Sequence, residues 1–190
     1  MSDSILETTA TIANLLAAYE GESNAHSKYV LFAAMADAEG WHGAASLFHA
    51  AARAEEIHAN NHARVLKQLG VEAKCQIHSA DVKSTLENLK AALAGEQYEI
   101  DTMYPAFIEE VGDIPIAKRT FTWAMEAEKT HARLYAEAIE LVEKGLKDSW
   151  PASACDFYVC TACGFTTKTR EGQERCPVCN LAFDKFEVIR

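Results

Sequence analysis

Glu96-Gln97-Tyr98-Glu99 decides the reading of this chain once it is set beside three other stretches. Glu22 precedes Glu55-Glu56-Ile57-His58 by 33 residues, and Glu96 precedes Glu128-Lys129-Thr130-His131 by 32. Glu55 and Glu128 stand 73 apart, Glu22 and Glu96 74 apart. A two-helix unit that opens on Gly-Glu (Gly21-Glu22, Gly95-Glu96) and carries a Glu-x-x-His therefore occurs twice. Residues three apart on a helix share a face, so each Glu-x-x-His aims a carboxylate and an imidazole at one point. One Glu from each of two helices, with Glu-x-x-His from each of two others, is a ligand set for two iron or manganese ions inside a four-helix bundle.

Working outward, four long amphipathic segments fill residues 1 to about 146. The first spans Thr8 to Ala38 and stops at Gly40; the second spans Trp41 to Leu69 and stops at Gly70. Asp81 is the expected N-cap of the third, which ends before Gly112. The fourth starts at Pro115 and ends before Gly145. Gly21 and Gly95 fall inside helices, where glycine costs about 1 kcal/mol; a close backbone approach beside the ligand glutamates would explain them, and simple tolerance of a helix glycine is the alternative. Short connections make helices one and two, and three and four, antiparallel. The link from Gly70 to Asp81 must climb the bundle, roughly 40 Å, which about 12 extended residues only just reach. Two solutions follow: an extended crossover within one chain, or a homodimer that exchanges helix pairs.

The two halves differ at one place. Three residues after Glu22 is Ala25; three after Glu96 is Glu99, which adds a fifth carboxylate to the ligand face. Glu22, Glu55, His58, Glu96, Glu99, Glu128 and His131 are thus the candidate metal ligands of the bundle. Buried without metal they would repel one another and mostly protonate, whereas two divalent cations offset the charge. The bland alternative is two chance Glu-x-x-His pairs on solvated acidic faces, and for Glu99 a carboxylate beside the site or at the surface.

Past the Asp148-Ser149-Trp150-Pro151 linker the chain changes character. Cys160-x-x-Cys163 and Cys176-x-x-Cys179 are separated by twelve residues, the spacing of two knuckles around one tetrahedral metal. Thiolate ligation suits zinc or a single iron, and spacing does not choose between them. About 36 residues are too few for a self-sufficient core, so metal binding would supply much of the folding energy. We therefore expect an all-α four-helix bundle at 1–146, a linker at 147–154 and a small four-cysteine β domain at 155–190.

Charge narrows the partners. The formal net charge of -10 argues against nucleic acid or an anionic membrane surface. The start, Met1-Ser2-Asp3-Ser4, lacks the basic and apolar regions of a signal peptide, and clustered cysteines suit a reducing compartment, so a cytoplasmic protein is expected. His62 is expected at the surface or beside the site. His26, His42, His49 and His78 are expected to be solvated or structural, Cys75 and Cys155 to be free thiols, Trp41, Trp123 and Trp150 to pack, and Asn180 to be a turn residue.

Gly21-Glu22-Ser23, Glu55-x-x-His58, Gly95-Glu96-x-x-Glu99, Met103-Tyr104-Pro105, Glu128-x-x-His131 and the two cysteine pairs occur in one order over almost the whole chain. In this the chain resembles the rubrerythrins, ferritin-like di-iron proteins with a C-terminal rubredoxin-like domain. The resemblance implies bridging by Glu55 and Glu128, terminal ligation by Glu22 and Glu96, and permanent ligation of one iron by His131. It implies that Glu99 and His58 serve the other iron in its oxidised and reduced forms, and that Tyr29 and Tyr104 hydrogen-bond the ligand shell. It also implies a peroxidase: hydrogen peroxide is reduced to water in oxidative-stress defence. Electrons would enter through a four-cysteine iron and cross to the di-iron site of a neighbouring subunit. An external donor such as a rubredoxin or its NAD(P)H-linked reductase would supply them. A ferritin-type ferroxidase or iron-storage protein, or a zinc-stabilised interaction module, are the competing readings.

Overall fold

The structure, a computed structural model, describes residues 3–146 and 148–190. Met1 and Ser2, on which the reading of the amino terminus partly rests, and Lys147, the first expected linker residue, lie outside the described residues. Among those described, the helices are α1 (Asp3–Ala38), α2 (His42–Gln68), α3 (Thr85–Tyr98), α4 (Tyr104–Glu110) and α5 (Pro115–Glu143). A five-residue π-helical turn, Glu99–Met103, joins α3 to α4. Three short antiparallel strands follow, β1 (Phe157–Cys160), β2 (Thr166–Thr167) and β3 (Phe186–Ile189), in the order β2-β1-β3.

Apolar side chains gather at the two ends of the bundle and leave a polar middle. At one end Tyr29, Phe32, Phe48, Leu89 and Tyr135 pack together; at the other Leu15, Leu66, Tyr104 and Phe121 do so. The aromatic rings of the first group lie 5.5–6.2 Å apart in tilted and edge-to-face pairs, the geometry that ring quadrupoles favour. Glu22, Glu55, Glu96 and Glu128 occupy the layer between.

The third helix departs from expectation at both ends, and each departure has a cause. Its N-cap is Ser84, not Asp81. Ser84 and Glu87 form a reciprocal capping box, while Asp81 pairs with Lys83. Three more residues are thereby released to the crossover, which runs without regular structure over 71–84. Fourteen residues reach about 46–50 Å, so the climb no longer strains the link. Val71 packs at one end of the bundle and Val82 at the other, with Asn24 of α1 bonded to the backbone of Gln76 and His78 midway. The four helices of one chain surround one site, so exchange of helix pairs between subunits is not needed to complete it. The π turn lies just ahead of Pro105, which can neither donate a backbone hydrogen bond nor tolerate a carbonyl close beneath its ring; a widened turn there relieves both demands.

The strand module packs on its own chain's bundle. Phe157 and Val159 are fully buried and join the core cluster of Leu47 and Phe48. Arg53 makes a forked pair with Glu187 at 2.6 and 3.0 Å, and Lys168 reaches Glu137 at 2.6 Å. The small module thus borrows core from the helices in addition to any metal it binds.

Candidate metal centre

Six of the seven expected bundle ligands converge in two overlapping groups. Glu22, Glu55, His58 and Glu128 form one; Glu55, Glu96, Glu128 and His131 form the other; within each, the ligand atoms lie within 4.8 Å of one another. The shared members are Glu55 and Glu128, the two positions that would bridge a pair of cations. All six side chains are at most 1% exposed.

Several of these atoms have no hydrogen-bond partner. Among the described residues, Glu22 Oε2, Glu55 Oε1, Glu96 Oε2, both Glu128 oxygens and His131 Nδ1 make no hydrogen bond. This holds although Glu128 Oε1 lies 2.8 Å from His58 Nδ1 and Glu128 Oε2 lies 2.7 Å from His131 Nδ1. Unpaired buried acceptors are rare and costly, and lone pairs converging without hydrogen-bond geometry are what a cation requires. Four carboxylates, formally -4, match two divalent cations.

Electrostatics agree with the geometry. Burial, followed by the neighbouring carboxylates, raises the pKa of Glu55, and burial and Glu128 lift Glu96 to about 7. Burial also opposes ionisation of Glu22 and Glu128, but the adjacent histidines win and hold both low. His58 and His131 are raised: burial works against their charged forms, and Glu128 outweighs it. Without a cation, protons must screen this cluster.

The outer nitrogens of both histidines are held by the strand module. His58 Nε2 donates to the carbonyl of Cys163 at 3.0 Å. The Thr166 hydroxyl donates to the Gly164 carbonyl, so it receives the His131 Nε2 proton, at 3.1 Å. Both rings therefore point a protonated Nε2 outward and face the cluster with Nδ1, the edge a metal-binding imidazole presents; His58 Nδ1 also meets Glu55 Oε2 at 3.0 Å. Sequence spacing carries no sign of the Cys163 and Thr166 contacts, because docking of the module creates them. The resemblance implied an electron path into a neighbouring subunit's site; here the module lies against the site of its own chain.

Tyr29 and Tyr104 are where expectation put them. Tyr29 donates to Glu96 Oε1 at 2.7 Å, and Tyr104 donates to Glu22 Oε1. His62 is fully buried beside the site: its Nε2 faces the Tyr104 hydroxyl and its Nδ1 faces Thr120, each at 3.2 Å. The surface alternative for His62 is thus ruled out. Tyr135, one turn beyond His131, is a fully buried neighbour of Tyr29 that the spacing alone could have suggested. Glu99 is half-buried and stands outside both groups of converging donors among the described residues. Glu56 and Glu126 pair with Arg53 and Lys129, away from the site. The close backbone approach expected at Gly21 and Gly95 is absent: an added Cβ at Gly21 meets nothing within 4 Å, and at Gly95 only the ends of Tyr29 and Lys28.

The four cysteines form a second centre. Cys160 and Cys179 sulfurs are 3.4 Å apart and those of Cys163 and Cys176 3.5 Å apart. A tetrahedron with 2.3 Å metal–sulfur bonds has edges of about 3.8 Å, so the cage is of the right size. The two knuckles repeat one design. Gly164 and Asn180 both have positive φ, 78° and 65°, and donate to the carbonyls of Cys160 and Cys176. Asn180 is a turn residue, as expected. Gly164 has a second constraint, since a Cβ there would stand 2.2 Å from His58 Nε2. Cys75 and Cys155 are free, and Trp123 packs against the cysteine cluster.

Comparison with known proteins matches this architecture. Residues 13–139 match the family model described as Rubrerythrin. The chain is 37% identical to Rubrerythrin-2 of Clostridium acetobutylicum, over 92% of this chain and 94% of that protein. It is 34% identical to Nigerythrin of Nitratidesulfovibrio vulgaris, over 98% and 90%. The solved structure of fully reduced, all-ferrous nigerythrin superposes with a TM-score of 0.83 at 34% identity, covering 94% of this chain and 86% of that one. A Desulfovibrio desulfuricans bacterioferritin, 22% identical with a TM-score of 0.71, shares the bundle fold.

Proposed function

The chain belongs to the rubrerythrin family, and from that premise we propose that it is a peroxidase reducing hydrogen peroxide to water. Members are di-iron ferritin-like proteins with a rubredoxin-like domain, and they bind iron at both sites. The reaction takes two electrons and two protons per peroxide and releases two waters. Glu22, Glu55, Glu96, Glu128, His131 and His58 would hold the iron pair, with Glu99 the alternative donor to His58 at one position. Cys160, Cys163, Cys176 and Cys179 hold the third iron. Residues 1–146 are then the peroxide-reducing unit and 155–190 the electron inlet, joined by 147–154.

Iron held by these residues would supply electrons and Lewis acidity for O–O cleavage; the chain's own groups position it and handle protons. Glu55 and Glu128, shared by the two groups of donors, would hold both ions. The Tyr29 and Tyr104 hydroxyls bond Glu96 and Glu22 and steady the carboxylates as charge changes. Burial, followed by its carboxylate neighbours, holds the Glu99 pKa above the usual carboxylate range, which favours its protonated form as a proton donor at the edge of the site.

The observation that carries this reading is the His58–Cys163 hydrogen bond, 3.0 Å from a ligand imidazole to the backbone of a cysteine that ligates the second centre. A ferroxidase or storage protein has no use for that contact, and an interaction module has no need of the carboxylate cluster. Electrons would come from a rubredoxin or its NAD(P)H-linked reductase in the cytoplasm. No helix among the described residues is long and apolar enough to cross a membrane. The test is NAD(P)H oxidation by such a donor system with the iron-loaded protein. Oxidation should begin on adding hydrogen peroxide and vanish in Cys176→Ser; donor oxidation independent of peroxide would refute the proposal.

A further inference from the structure

The faces of the metal centre are used unequally. The α2–α5 face, which carries both histidines, is closed by the strand module through Cys163 and Thr166. The opposite face lies between α1 and α3, which touch only sparsely. There a cavity of about 240 Å³ opens, lined by Gly21, Asn24, Lys28, Tyr29, Gly95 and Glu99 and roofed by residues 78–80 of the crossover.

Its lining follows helical spacing. Gly21, Asn24 and Lys28 form a stripe on α1, and Gly95 and Glu99 form one on α3. Both glycines fall where a side chain would project toward the passage. A Cβ at Gly95 would meet the Tyr29 hydroxyl at 3.8 Å and Lys28 Nζ at 4.0 Å, ordinary contact distances, so the glycine is not demanded by crowding. Nor is it demanded by conformation, since neither glycine has positive φ. What the missing side chains leave is space, beside Tyr29 and one turn from Glu99. The roof is fixed: Asn24 Nδ2 donates to the Gln76 carbonyl at 2.9 Å, and the His78 amide donates to Asn24 Oδ1 at 2.8 Å.

We infer that this cavity is the passage by which oxidant reaches the metals, and that Gly21, Gly95 and the Asn24-pinned roof set its bore to small hydroperoxides. Electrons then arrive from the α2–α5 side and oxidant from the α1–α3 side, so the two do not compete for one opening. The choice of hydroperoxide as the oxidant rests on the peroxidase reading; the passage itself does not.

The experiment measures azide binding to the oxidised, iron-loaded protein by stopped-flow absorbance, beside kcat/KM for hydrogen peroxide and tert-butyl hydroperoxide. Gly95→Leu should slow azide association and peroxide reduction together, by roughly tenfold or more, with dithionite reduction of the four-cysteine iron unchanged. Gly21→Ala should also slow azide while raising the melting temperature, since alanine is the better helix former; damage to the fold does not produce that pair of changes. Asn24→Ala should raise the kcat/KM of the bulky hydroperoxide relative to hydrogen peroxide. Unchanged azide association in Gly21→Ala and in folded, iron-loaded Gly95→Leu would overturn the passage. Slowed azide binding in a protein that turns over no peroxide would leave the passage standing and remove the peroxidase reading.

Discussion

Glu99 is the residue at which the two halves of the chain part company, and it lines the α1–α3 cavity. The structure places His58, not Glu99, among the converging donors. If the two are alternative donors and Glu99 also holds a proton, Glu99→Ala should leave the bundle folded and iron-loaded while peroxide turnover falls by roughly a hundredfold. Steady-state kinetics with iron analysis checks this, and unchanged turnover would count against the assignment. The other residues of the cluster predict a pH dependence. Glu96 is raised to about 7, with Glu55, Glu99, His58 and His131 also raised. A raised folded-state pKa contributes stability below the unfolded value that is lost as pH climbs through the folded value. Glu22 and Glu128, held low, lose their contribution only in acid. The metal-free protein should therefore melt at lower temperature as pH rises from about 5 to about 8. Iron should flatten that slope by replacing the protons, and a metal-free protein whose melting point rises over the same range would contradict the account. The ligands were legible because helical spacing fixes their face. The partners of His58 and His131 were not, because a backbone carbonyl and a threonine on a distant strand leave no periodic trace.

Among the elements, the crossover and the third helix depart most from the sequence reading. The period of the apolar residues showed that a helix was there. Its start was misplaced because Asp81 and Ser84 are both good caps, and only Ser84 has a glutamate three residues on to close the box. Ser84→Ala should destabilise the protein by about 1 kcal/mol without changing peroxide kinetics, as thermal melts and turnover measured together would reveal. The π turn at Glu99–Met103 was hidden too, although Pro105 marks the place where an α-helix would lose a hydrogen bond. Between elements, the module meets the bundle at Gly164. Gly164→Ala puts a methyl group into His58, so the knuckle must retreat. Its iron–thiolate colour should persist while electron delivery to the bundle slows by roughly tenfold or more. Unslowed delivery, followed by stopped-flow absorbance, would mean that electrons do not pass by this contact.

Across the whole molecule, one chain carries both centres and the contact between them. The internal repeat makes the bundle legible and the cysteine spacing the second metal; docking of the two units leaves no such trace, because no spacing encodes the contact of Phe157 and Val159 with the cluster of Leu47 and Phe48. Docking makes them core of the bundle. The central claim is that the cysteine centre and the carboxylate centre work as one redox unit. It is tested most directly by reducing the iron-loaded protein without air and mixing it with one equivalent of hydrogen peroxide while following visible absorbance. The account predicts a red iron–thiolate band that bleaches on reduction, returns rapidly with peroxide and returns only slowly with air. A band that peroxide leaves bleached, or a colourless protein with zinc at the four cysteines, would contradict it.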